Sequence, residues 1–151
     1  MRNPCSSHKM KHTILFICTH NSARSQMAEG LVNHYFGDRW EAKSAGTEKT
    51  VVKPFAIQAM AEAGIDISHH TSKTIEAFKG QQFDVVVTVC DSAKESCPFF
   101  PGKKVVHQSF VDPSNVVGTD EEKLAAFCRT RDEIKAWLDK QLPVLAKEFE
   151  V

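Results

Sequence analysis

The chain has 151 residues, 42% of them hydrophobic, with 19 basic side chains against 19 acidic ones. A domain usually takes about 100–200 residues, and a chain this size hides roughly 68–70% of its unfolded surface, so one domain with a self-sufficient core is expected. Zero net charge argues against a general nucleic-acid binder, and no apolar run approaches the roughly 18 residues of a membrane span.

In chain order, residues 1–11 read as a loose polar tail ahead of a domain spanning 12–151. The tail contains Cys5, His8 and a second candidate start at Met10, and it lacks the apolar stretch of a signal peptide. Ile14–Cys18 is an apolar run suited to a buried strand. A helix follows to Phe36, with Met27, Leu31, Val32 and Tyr35 on one face and Gly37 as its stop. A short strand covers Trp40 to Ala45 and ends at Gly46. Pro54 opens a second helix that runs to Gly64, and a further short helix is expected from Ser72 to Phe78. Phe83–Val89 reads as a strong strand and Lys103–His107 as a weaker one. Thr119-Asp120-Glu121-Glu122 has the form of a capping box. Leu124, Phe127, Ile134, Leu138, Leu142 and Leu145 then recur at helical spacing, with Pro143 as a kink or break. Strands separated by helices predict an α/β fold with one parallel sheet, whose ligands bind beyond the carboxyl ends of the strands. Cys18 and Cys90 stand at such ends. Five cysteines, an odd number at low density, do not suit a secreted disulfide scaffold and point to the reducing cytoplasm.

Cys18-Thr19-His20-Asn21-Ser22-Ala23-Arg24-Ser25 links the first strand to the first helix. Such a loop aims successive amides inward as an anion nest, and the helix adds its positive N-terminal dipole. Arg24 supplies a planar, permanently charged fork matched to a tetrahedral oxyanion. A thiol in that field ionises readily, with values of roughly 3.5–7.5 in such settings. Ser25 is placed to donate to the Cys18 sulfur, and Asn21 tolerates the left-handed backbone that would brace the loop. Thr19 to Arg24 thus form a candidate oxyanion-binding set around a candidate nucleophile, Cys18.

Cys18 to Gly30, with Ser44-Ala45-Gly46, Gly64-Ile65-Asp66-Ile67-Ser68 and Asp112-Pro113, resembles the low-molecular-weight protein tyrosine phosphatase fold. Within that fold the sequence is most similar to the thioredoxin-coupled arsenate reductases, from about Thr13 to about Trp137. The resemblance implies a single domain with a four-stranded parallel sheet flanked by helices. It also implies that Asp112 is the general acid protonating the departing oxygen, a role typically worth about 10²–10⁴-fold. Phosphatases of this fold usually carry tyrosine after the Asp-Pro pair, whereas Ser114-Asn115 follow here. That departure speaks against a site dedicated to phosphotyrosine.

Cys90 and Cys97 bracket six residues. Spacing alone leaves open a redox pair, unrelated thiols, or half of a metal site, although zinc favours closer spacings. The resemblance implies the first. Cys18 attacks arsenic, Cys90 attacks Cys18, Cys97 attacks Cys90, and thioredoxin reduces the resulting disulfide. Electrons then come from a partner protein, with no tightly bound cofactor; glutaredoxin or mycothiol is the alternative source. The rival activity is phosphoester hydrolysis through a phosphocysteine, and the non-enzymatic rival is a redox-switched binding surface. Some members hold potassium through side chains matching Asn21, Glu29 and Ser44 plus an acidic residue at the position of Lys73. Lys73 is a cation, so no metal is expected: its ammonium is to replace the ion, pairing with Glu29 and bracing Asn21. Cys128, Trp40 and Trp137 are assigned to packing. His20 is a candidate for tuning the loop, and His69-His70 resemble a family stretch near the site. His12, His34 and His107 show no ligand spacing.

Overall fold

The computed structural model describes residues 11–89 and 100–149. Four parallel strands form one sheet: β1 (His12–Ile17), β2 (Trp40–Ala45), β3 (Val85–Thr88) and β4 (Lys104–His107), in the order β2-β1-β3-β4. Three α-helices accompany them: α1 (Arg24–Tyr35), α2 (Pro54–Glu62) and α3 (Asp120–Phe149). Ile14 of the central strand pairs with Ala42 on one side and with Val85 on the other.

Alternation along β1 sorts its side chains onto two buried faces. Ile14, Phe16 and Cys18 join the larger cluster with Met27 and Leu31 of α1, Ala59 and Met60 of α2, and Phe127, Ile134 and Leu138 of α3. Leu15 and Ile17 face a smaller cluster with Phe78, Phe83, Val86 and Phe100. Burial on both sides explains why the strand reads as a continuous apolar run. Gly30 lets α1 pack closely: a Cβ there would come within 2.8 Å of Ile67 and 2.9 Å of Met60 side-chain carbons.

The capping box forms reciprocally. Thr119 N donates to Glu122 Oε1 at 2.9 Å, and Glu122 N donates to Thr119 Oγ1 at 3.1 Å. Those bonds hold the Glu122 carboxyl below its ordinary range.

Four expectations need correction. Tyr35 is 46% exposed, because the buried stripe of α1 ends at Val32, and the Lys135 ammonium lies 4.6 Å from its ring centre. The segment expected as a helix from Ser72 contains only a 3₁₀ turn, Ile75–Phe78, since Ser72 and Lys73 are drawn into contacts with the Cys18 loop. The strand expected from Phe83 begins at Val85. Of the two readings of Pro143, the break is not found: α3 runs on through it to Phe149. The carbonyl it deprives of a partner belongs to exposed Asp139, where water can serve, while Leu142, Leu145 and Ala146 bury the same turn in the core.

No helix among the described residues is long and apolar enough to cross a membrane.

Candidate active site

β1 ends at Ile17, and Cys18 follows it at the carboxyl edge of the sheet, 2% exposed. Its amide donates to Ala45 O at 3.2 Å, which continues the strand pairing. The chain then turns through Asn21, whose φ is 50°, and enters α1 at Arg24. No side chain caps that helix end, so its first-turn amides are suited to an anion.

The loop is held by its carbonyls. Thr19 O accepts from Thr47 N and Glu48 N at 2.9 and 3.2 Å, and Ser22 O accepts from Lys53 N at 2.8 Å. His20 O accepts from Thr50 Oγ1 at 3.1 Å and Ser72 Oγ at 3.0 Å. Asn21 O accepts from Gln26 Nε2 at 3.1 Å, and Ala23 O from Met27 N at 2.8 Å. The N–H and C=O of a trans peptide point opposite ways. Anchoring these carbonyls in the scaffold therefore turns the following amides toward the concave side, the geometry of a nest.

A chain of buried hydrogen bonds leads to Cys18. Asn21 Oδ1 accepts from Gln26 Nε2 at 2.9 Å and from Lys73 N at 2.7 Å, which leaves Nδ2 to donate to Ser25 Oγ at 2.9 Å. Ser25 Oγ lies 2.9 Å from Cys18 Sγ and is the donor to it when the sulfur is a thiolate, which can only accept. Gln26 Nε2 also donates to Thr71 O at 3.0 Å, so Oε1 is the acceptor for His70 Nδ1 at 3.0 Å. That fixes His70 as the Nδ1–H tautomer. Burial pushes its pKa below the ordinary 6.5, with the Glu29 carboxylate opposing. Arg24 Nη1 donates to Phe110 O at 3.2 Å and Val89 O at 3.4 Å, while Nη2 faces Asp112 Oδ2 at 3.4 Å. Cys18, Arg24 and Asp112 thus come together from the end of β1, the start of α1 and the segment after β4.

Cys90 and Cys97 lie outside the described residues, as do Cys5, His8 and Met10. Lys73 is placed differently from expectation. Its ammonium donates to Thr71 O at 2.8 Å, and among the described residues no ion pair joins it to Glu29. What braces Asn21 is the Lys73 backbone amide. Ser44 Oγ donates to Glu29 Oε1 at 2.5 Å. Asn21 Oδ1 and Glu29 Oε1 are therefore already engaged by internal donors, and the fourth position carries a positive charge. This donor set does not fit the ion. Among the described residues no cluster of three His, Cys, Asp or Glu side chains could hold a metal.

His20 is exposed, its Nε2 3.8 Å from Glu48 Oε1. His12 packs between Trp40 and Phe149, His34 sits edge-on to Tyr35, His69 edge-on to His70, and His107 Nδ1 meets Thr88 Oγ1 at 2.7 Å. Trp40 is buried, and Trp137 packs edge-on to Phe110. Cys128 packs against the core, and burial pushes its thiol pKa up. Thr50, Ser72 and Gln26 are the contributors that sequence reading missed. Gln26 was visible only as part of the quoted motif, and Thr50 and Ser72 carry no local signal.

The chain matches the family model described as low molecular weight phosphotyrosine protein phosphatase over residues 13–150. It is similar to an arsenate reductase of Halalkalibacterium halodurans, at 53% identity over 125 residues, covering 82% of this chain and 90% of that one. A solved arsenate reductase in the phosphate binding state aligns with a TM-score of 0.74 at 32% identity, covering 91% of this chain and 98% of that one. The thioredoxin-dependent arsenate reductase of Corynebacterium glutamicum aligns with a TM-score of 0.59 at 27% identity, covering 92% of this chain and 66% of that one.

Proposed function

From the premise that the chain belongs to the low molecular weight phosphotyrosine protein phosphatase family, we propose that it reduces arsenate to arsenite, with Cys18 as nucleophile and thioredoxin as reductant. The observation that carries this is the Ser25 hydroxyl 2.9 Å from Cys18 Sγ, inside a loop whose Arg24 also faces Asp112. The arsenate reductase names of the similar proteins support the substrate, and the thioredoxin dependence of the Corynebacterium protein supports the electron source.

The Cys18 thiolate attacks arsenic(V) and hydroxide departs, taking the proton of Asp112 to leave as water. Arg24 and the loop amides hold the oxyanion throughout. The Cys90 thiolate attacks Cys18 sulfur; an S–S bond forms, the S–As bond breaks, and its electron pair leaves with arsenic(III) as arsenite. The Cys97 thiolate then attacks Cys90 and releases the Cys18 thiolate, and the two thiols of thioredoxin reduce the Cys90–Cys97 disulfide. Thiols kept reduced between turnovers fit a cytoplasmic setting.

The experiment is a thioredoxin-coupled arsenate assay on wild type and on Cys18→Ser, Cys90→Ser and Cys97→Ser. Each substitution should abolish repeated turnover, while Cys90→Ser should keep slow hydrolysis of an aryl phosphate, because that reaction needs only Cys18, Arg24 and Asp112. A Cys90→Ser protein that still reduces arsenate repeatedly refutes the cascade. Ester hydrolysis with no arsenite formed by wild type would leave a phosphatase instead.

A further inference from the structure

The two oxygens of Asp112 have different neighbours. Oδ1 accepts from Ser114 N at 3.0 Å and from Ser114 Oγ at 2.5 Å, whereas Oδ2 faces Arg24 Nη2 at 3.4 Å. Asp112 caps the 3₁₀ turn Pro113–Asn115, which fixes the carboxyl plane against the turn's first amide. Deepening the reading of Asp112 as proton donor, and resting on it, we infer that Ser114 is a positioning residue that decides which Asp112 oxygen carries the transferable proton.

A carboxylate oxygen offers two in-plane acceptor sites. Ser114 fills both on Oδ1 with hydrogens, so a proton arriving there would meet a donor head-on. Oδ2 accepts one longer bond, from Arg24 Nη2 at 3.4 Å, and keeps its second site open, so protonation of Asp112 is directed there. Arg24 adjoins Ser25, the partner of Cys18 Sγ, and its guanidinium is held by Phe110 O and Val89 O. The proton therefore waits on the side where the leaving oxygen of a bound oxyanion emerges. Without the hydroxyl, Oδ1 keeps one donor and regains an open acceptor toward solvent, since Ser114 is exposed. The proton is then shared between two oxygens, only one of which faces the reaction.

The test compares kcat/KM for phenyl phosphate, a poor leaving group that needs the proton, with 4-nitrophenyl phosphate, which needs it less. It uses wild type, Ser114→Ala, Ser114→Thr and the same Ser114→Ala change in an Asp112→Asn background, with arsenate reduction measured alongside. The loss of one charge-assisted hydrogen bond at an exposed position should lower phenyl phosphate and arsenate rates roughly three- to tenfold in Ser114→Ala. The loss on 4-nitrophenyl phosphate should be smaller. Ser114→Thr should restore the rate, and Ser114→Ala should have no further effect once Asp112 is Asn. Equal losses on both esters, failure of threonine to rescue, or an undiminished effect in the Asp112→Asn background would overturn the inference. A wild-type protein that turns over neither ester nor arsenate refutes the reading of Asp112 itself and this inference with it.

Discussion

Gly46→Ala would drive a methyl group into the backbone of the Cys18 loop. Gly46 follows β2 and lies against the Cys18 loop: a Cβ there would stand 2.6 Å from Cys18 O, 2.6 Å from Thr19 O and 2.9 Å from Asn21 N. All three are backbone atoms, so no side chain can swing away. Carbon approaches a carbonyl oxygen to about 3.3–3.6 Å, so the loop would have to retreat by about 0.7–1.0 Å. Retreat is opposed by Gly46 N on Lys73 O and Thr47 N on Thr19 O, both at 2.9 Å, and by Cys18 N on Ala45 O at 3.2 Å. A displacement on the order of 1 Å at a catalytic group costs roughly 10²-fold in rate, and overpacking costs about 1–3 kcal/mol of stability. Gly64→Ala is the control. Gly64 has φ 81° with nothing within 4 Å of a Cβ, so it suffers left-handed strain of about 1–2 kcal/mol without touching the loop. Both variants should lose several degrees of Tm, at about 2–4 °C per kcal/mol for a chain of this size. Thioredoxin-coupled arsenate reduction, measured below both transitions, should fall roughly 100-fold in Gly46→Ala and stay at the wild-type rate in Gly64→Ala. Equal activity per folded molecule in the two variants would refute the argument that Gly46 sets the loop.

Ser25→Ala removes the donor to Cys18 Sγ; a hydrogen bond to a charged group is worth about 1.5–3 kcal/mol, so iodoacetamide labelling of Cys18 near neutral pH should slow by roughly ten- to a hundredfold. Unchanged labelling would show that the hydroxyl does not hold the thiolate. His70 has its pKa lowered from 6.5, chiefly by burial. Below about pH 6.5 the unfolded chain therefore binds a proton that folded His70 resists, and stability falls as pH falls. His70→Asn, which can keep a donor on Gln26 Oε1, should shrink the Tm drop between about pH 7.5 and about pH 5.5; an identical drop would exclude His70 as its source. Pro143→Ala restores an amide inside α3. The roughly 3 kcal/mol helix penalty of proline, less about 0.4–1 kcal/mol for its restriction of the unfolded chain, predicts a Tm about 4–10 °C higher. No rise would mean that the missing bond costs nothing there.

Local patterns made much of the frame legible in the sequence. β1 reads as a doubly buried strand because Ile14 through Ile17 are apolar on both faces. The capping box at Thr119 is visible because both partners lie within one turn. The Cys18-to-Ser25 spacing between a strand and a helix marks the site, and Asn21 at φ 50° fits its residue type. Where local rules misled, tertiary packing had overridden them: Pro143 stays in a helix because Leu142, Leu145 and Ala146 belong to the core. Lys73 was read by its charge, whereas the atom that acts on Asn21 is its backbone amide, and a backbone atom leaves no mark in residue identity.

The polar interior was illegible for a deeper reason. Asn21, Ser25 and Gln26 are fully buried, Arg24 and Ser72 nearly so, and among the described residues no buried side-chain nitrogen or oxygen lacks a partner. Satisfaction on that scale rests on pairs far apart in the chain, with His70 44 residues from Gln26 and Ser72 52 residues from His20. Each direction in the chain of bonds depends on the one before it. The Lys73 amide and Gln26 orient the Asn21 amide group, Asn21 holds the Ser25 hydroxyl, and that hydroxyl meets the Cys18 sulfur. Unpaired buried groups are costly, so reversing any single member would leave others unsatisfied. The hydroxyl placed against Cys18 is therefore set by the buried group as a whole, and no one position in the sequence encodes it.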